Sequence, residues 1–138
     1  MRFLIKIFCL INILLSLIIG GIIYYLDGNG TYIGNLLYCV LGYHNINFTI
    51  PSIFRNWGCD FLWAYAFSFA MLMSLYSSEA PYKKTFLVVF FCTILLEGTQ
   101  KFFCYYATFD WFDIVFQILA SVIALLIYYF IDNYQRRR

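Results

Sequence analysis

The chain has 138 residues, of which 64% are hydrophobic, 23% aromatic and only 12% charged, with a formal net charge of +2. Soluble domains carry about a quarter charged residues, so the composition excludes an ordinary soluble globule, and the length leaves no room for a separate soluble catalytic module. A charge of +2 with no basic block beside an aromatic platform also excludes a nucleic-acid surface.

Several apolar runs reach membrane-spanning length, about 20 residues, and four spans are expected. The first covers residues 3–26. Arg2 and Lys6 at its start resemble a signal peptide, but the run is long and no small-x-small cleavage site precedes Asp27, so a retained anchor is expected. The turn "LDGNGT" opens an outer loop, 27–55, whose centre "YIGNLLYCVLGY" is apolar but too short to span. It reads as an interfacial or re-entrant helix. Asn29 and Asn47 head N-x-[ST] triplets that matter only in a eukaryotic secretory pathway, and His44 has no partner at metal-ligand spacing.

Pro51 breaks the chain before the second span, 56–76, which ends at the polar turn "SSEAPYKK". The third span covers 85–104 and the fourth 111–131, followed by "QRRR". The expected architecture is therefore all-α: one polytopic membrane domain over 1–138, an antiparallel bundle of four transmembrane helices. Lys and Arg excess marks cytoplasmic loops. With both termini inside, Arg2, Lys6, Lys83, Lys84 and Arg136 to Arg138 all fall on the inner side, leaving Arg55 and Lys101 outside. Both termini are therefore expected in the cytoplasm.

Five cysteines (Cys9, Cys39, Cys59, Cys92, Cys104) show no C-x-x-C or Cys/His spacing, so neither a metal site nor a cofactor is expected. Cys39, Cys59 and Cys104 fall near the outer surface, which leaves a disulfide among them open. Trp57, Trp63 and Trp111 read as interfacial anchors.

Against this apolar background, "LLEGTQKFFCYYATFDWFDIVFQ" places Glu97, Gln100, Lys101, Asp110 and Asp113 close together. Glu97, Gln100 and Lys101 fall in the last turns of the third span, Asp110 and Asp113 open the fourth, and Asp60 opens the second. Opposite-running helices thus bring these residues to one depth below the outer face. Steps of three and four residues put Thr93, Glu97, Gln100 or Lys101, and Cys104 on one helical face. Asp110, Asp113, Gln117 and Ser121 share another, continued by Ala120 and Ala124. Asp60, Ala64, Phe67 and Ser68 form a third stripe. Small and polar residues on one face are what contacts between membrane helices select.

An acidic side chain at mid-span is disfavoured by about 2.5–3.5 kcal/mol. Four carboxylates (Asp60, Glu97, Asp110, Asp113) face two cations, Arg55 and Lys101, an excess of two negative charges. A proton held on a carboxyl, a bound cation or a cationic group on a ligand would relieve it. The bland alternative is that Glu97 and Lys101, one turn apart, form a structural pair that knits the bundle, with Gln117 as packing glue and Arg55 on a lipid phosphate. No H-E-x-x-H, G-x-S-x-G, phosphate-binding glycine loop or Ser/His/Asp set is present, so nothing points to an enzyme.

At "LLEGTQKF" followed by "TFDWFDIVFQ", the chain resembles the VanZ-like family of small bacterial membrane proteins. Glu97 and Gln100 match that family's E-x-x-Q near the outer end of one span, and Asp110 and Asp113 match its D-x-x-D at the start of the next. "DFLWAY" is similar to an upstream motif, with Asp60 in the polar position. The resemblance covers residues 55–131; Gln117 stands where the family commonly has Asn, and Ala120 or Ser121 where it has Gly. It implies a cell-envelope role of the kind associated with low-level teicoplanin resistance.

The leading expectation is an acidic, outward-facing intramembrane pocket for an envelope precursor or cationic small molecule. Glu97 and Gln100 would form its floor and Asp110 and Asp113 its rim, with Asp60, Arg55 and Lys101 adjusting charge and membrane lipids around it. The alternative is a non-catalytic subunit or immunity-type protein acting on a membrane-protein partner through helix contacts. Ion translocation would need polar groups continuing inward, where Ser74, Thr85 and Thr93 are few.

Overall fold

The computed structural model describes residues 3–27, 32–42, 50–51, 53–103 and 110–137. Side chains are described for all of these except 27, 32–33, 55–56, 100–103 and 136. The expectations for Asn29, His44, Asn47 and Cys104 therefore lie outside the described residues, as do those for the side chains of Arg55, Gln100 and Lys101.

Every regular element among the described residues is a helix: α1 (Phe3–Asp27), α2 (Tyr32–Leu41), α3 (Cys59–Ser74), α4 (Pro81–Phe103) and α5 (Trp111–Arg136). One turn of π-helix, Phe54–Gly58, runs into α3 without a break, because Gly58 and Cys59 both keep right-handed helical angles. Two helices are long and apolar enough to cross a membrane, Phe3–Leu26 and Trp111–Gln135. At 1.5 Å per residue each is roughly 37 Å long, against a hydrocarbon core of about 30 Å. Cys59–Ser74 is apolar but shorter.

The start of α4 and the end of α5 differ from the sequence reading. The third expected span began at Thr85, but α4 starts at Pro81. Proline suits a first helical position, because its missing N–H has no partner there anyway. Ala80, at φ 52, turns the chain into the helix, and its carbonyl accepts from Lys84 N at 3.1 Å. The fourth expected span ended at Ile131, whereas α5 continues to Arg136. Apolarity ends there, but helix-compatible residues do not. The apolar centre of the first loop folds as α2, which Gly42 closes at φ 87 by donating its N–H to Tyr38 O at 3.0 Å. Only glycine takes that angle freely. Tyr25 Oη donates to Gly42 O at 3.0 Å and ties α2 to α1.

α3 is the hub, packing against α1, α4 and α5, whereas among the described residues α1 and α4 share no packing seam. α1 and α4 run one way, α3 and α5 the other. Ile5 and Cys9 of α1 meet Phe69 and Leu72 of α3 and Ala124 and Tyr128 of α5 in the buried core. The small side chains explain the closeness of α3 to α5: Ala64, Ala66 and Ser68 on one, Ala120, Ser121 and Ala124 on the other, all buried. Small residues let helix backbones approach. Asn12 Oδ1 accepts from Tyr65 Oη at 2.9 Å and pins α1 to α3 halfway along.

Candidate functional site

The end of the bundle opposite that core is polar. α3 brings Asp60, α4 brings Glu97 and α5 brings Asp113 to this end. Asp60 interacts electrostatically with Glu97, Glu97 with Asp113 and Asp110, and Asp113 with Asp60 and Asp110. The four carboxylates therefore form one cluster of mutually repelling charges. Among the described side chains no lysine or arginine enters it.

Glu97 is the most buried member, 2% exposed. Its position follows from its helix: Val89, Thr93 and Glu97 repeat at four-residue steps and all three are buried. Thr93 Oγ1 donates to Gln117 Oε1 at 2.9 Å, which fixes the Gln117 amide so that Nε2 points at Glu97 Oε1, 3.5 Å away. The Asp110 backbone N–H also interacts with this carboxylate. None of this satisfies Glu97 Oε2, which is buried without a hydrogen-bond partner among the described residues.

A cavity of 460 Å³ opens beside it. α3 and α5 supply the floor with Asp60 and Gln117, α4 supplies Glu97, and α1 supplies Ser16, Gly20 and Tyr24. Because α1 and α4 do not pack together, the cavity lies in the cleft between them. Gly20 and Gly21 keep the α1 wall low, and Cys59 Sγ lies 3.9 Å from Gly20 O, holding α1 against α3 beside the cavity.

Asp110 does different work from the other carboxylates. It caps α5: Oδ1 accepts from Phe112 N at 2.9 Å, while Oδ2 accepts from Trp57 Nε1 at 3.3 Å. The Trp57 ring stacks on Phe116, with centroids 5.3 Å apart at 9°. Trp57, expected as an interfacial anchor, also locks the π-turn onto the start of α5. Trp63 and Trp111 keep exposed rings, 55% and 71%. Cys39 and Cys59 are free thiols, so neither holds the disulfide left open by the sequence.

Of the sequence-selected residues, Asp60 and Glu97 line the cavity, Asp113 lies within its field, and Asp110 is a cap. The contribution of α1 was not anticipated. Its signal was legible, since Asn12, Ser16, Gly20 and Tyr24 recur every four residues, one face of a helix. Thr93 and Gln117 were placed on the correct faces, but as packing residues.

Searches against protein-family models, curated proteins and solved structures find no match to this chain.

Proposed function

We propose that the chain is a VanZ-like, four-span protein of a bacterial cytoplasmic membrane, with both termini inside, whose acidic outward-facing cavity binds a cationic group of an envelope component. The single observation that carries this reading is Glu97: a carboxylate buried to 2% exposure, one oxygen unpartnered, on the wall of a cavity that also presents Asp60. Burying an ionisable group is expensive unless it is paired. A cationic ligand would supply the missing partner. Asp113 strengthens the field and Gln117 orients Glu97.

Membrane residence is supported by what the two longest helices leave uncovered. Leu14, Leu15 and Ile18 on α1 and Val115, Leu126 and Phe130 on α5 are all largely exposed. A helix in the core of a soluble protein hides such side chains. α4 has the length to span, and the π-turn extends α3 towards it.

The test uses a cysteine-free background carrying Asp60→Cys, with Glu97 retained, in intact cells. A trimethylammonium-bearing thiosulfonate applied outside should modify position 60 about tenfold faster than a sulfonate-bearing one, because a charged cleft concentrates opposite charge. Equal rates, or modification only after the membrane is opened, would remove the acidic outward cavity.

A further inference from the structure

The acidic cavity does not end at Gln117. Trp63, Leu96 and Gln117 also line a second cavity of 330 Å³ between α3 and α4, whose remaining walls include Phe67, Val89 and Cys92. This groove presents almost no polar surface, in contrast to its neighbour. Its direction is set by the helices. Along α3 the lining passes from Trp63 to Phe67, and along α4 from Leu96 back to Val89, so the groove begins near the level of the carboxylates and its far end lies roughly 10 Å of helical rise deeper. An acidic head site thus stands above an apolar slot, joined through shared residues. That is the orientation of an amphiphile in the outer leaflet of a bilayer.

We infer that the ligand of this site is a single-chain amphiphile with a primary ammonium head, taken up sideways from the outer leaflet. Its N–H groups donate to the unpartnered Glu97 Oε2 and to Asp60, and its hydrocarbon chain lies between Trp63, Phe67 and Cys92. Taking roughly 30 Å³ for each small group the size of a water, the groove holds about ten methylenes, one chain rather than two. The cleft between α1 and α4 is the entry. This assignment rests on the cationic-ligand reading of the cavity and adds the chain, the leaflet and the route.

The experiment is native mass spectrometry of the full chain released from an uncharged detergent, with three probes: methylammonium, decylammonium and decanol. One decylammonium should bind per chain, about tenfold or more tighter than either other probe, since decanol lacks the charged hydrogen bonds and methylammonium lacks the apolar chain. Glu97→Gln should reduce decylammonium to the level of decanol. Cys92→Trp, which fills the groove, should reduce it to the level of methylammonium. A chain-length series from four to sixteen carbons needs no variant; affinity should level off near ten, where the slot is full. If methylammonium and decylammonium bind equally and Glu97→Gln weakens both, the amphiphile assignment is overturned while the cationic cavity stands. If Glu97→Gln changes neither, both fall.

Discussion

Glu97 carries opposite consequences for stability and for binding. A buried carboxylate with one oxygen unpaired weakens the folded protein unless something cationic is bound. Glu97→Gln keeps an acceptor facing the Gln117 amide, 3.5 Å away in the native chain, and removes the charge. The variant should therefore be more stable than the native chain, by about 1–3 kcal/mol, in thermal unfolding without ligand. It should also lose the preference for cationic over anionic thiosulfonates at position 60. A fall in stability instead would mean that Glu97 is a structural member of the Thr93–Gln117 network. Such a residue-level conflict was partly legible in the chain: an acid in "ILLEGT" is costly on any scale, and its four-residue step from Thr93 gave its face. Which neighbour would hold it was not legible. Sequence proximity pointed to Lys101, one turn on, whose side chain lies outside those described; Gln117 reaches Glu97 across the helix interface.

At the level of elements, the start of α5 is held by two devices that meet at one side chain. Asp110 supplies the cap to Phe112 N and receives the Trp57 indole from the π-turn. Asp110→Ala should lower stability by about 0.5–2 kcal/mol, as lost helix caps do. Trp57→Phe keeps an aromatic ring against Phe116 but loses the bond to Asp110, and should cost less than Asp110→Ala. Thermal unfolding in detergent measures both; equal stability of Asp110→Ala and the native chain would dismiss the cap. The D-x-x-D pattern in the sequence marked both acids for the same use, because a pattern records spacing and not the hydrogen bonds each side chain finds. Helix existence was readable from apolar runs, and the buried faces of α4 and α5 followed from small and polar residues three and four apart. The π-turn was not readable. Residues 54–58, "FRNWG", have no composition that separates a π-turn from the α-helix it joins.

For the molecule as a whole, alternation of helix direction about α3 is what gathers Asp60, Glu97, Asp110 and Asp113 at one end and the Ile5–Leu72–Tyr128 core at the other. In the proposed four-span arrangement this asymmetry would be sided. Glu79→Cys, in the exposed turn before α4, should react with an impermeant maleimide only after the cells are permeabilised, and Phe112→Cys, exposed at the start of α5, should react in intact cells. Reaction of both from the same side would discard the proposed topology. The positive charges already suggested this orientation, since both Lys83 and Lys84 follow that turn.

The absent seam between α1 and α4 has a consequence for how such a protein would be tuned. With no helix among the described residues closing that flank, the bilayer would complete the wall, and molecules dissolved among the acyl tails would meet the site at their concentration in the membrane rather than in water. Occupancy would then respond to lipid composition, and a substitution that brings these two helices together would silence the protein without touching a single carboxylate.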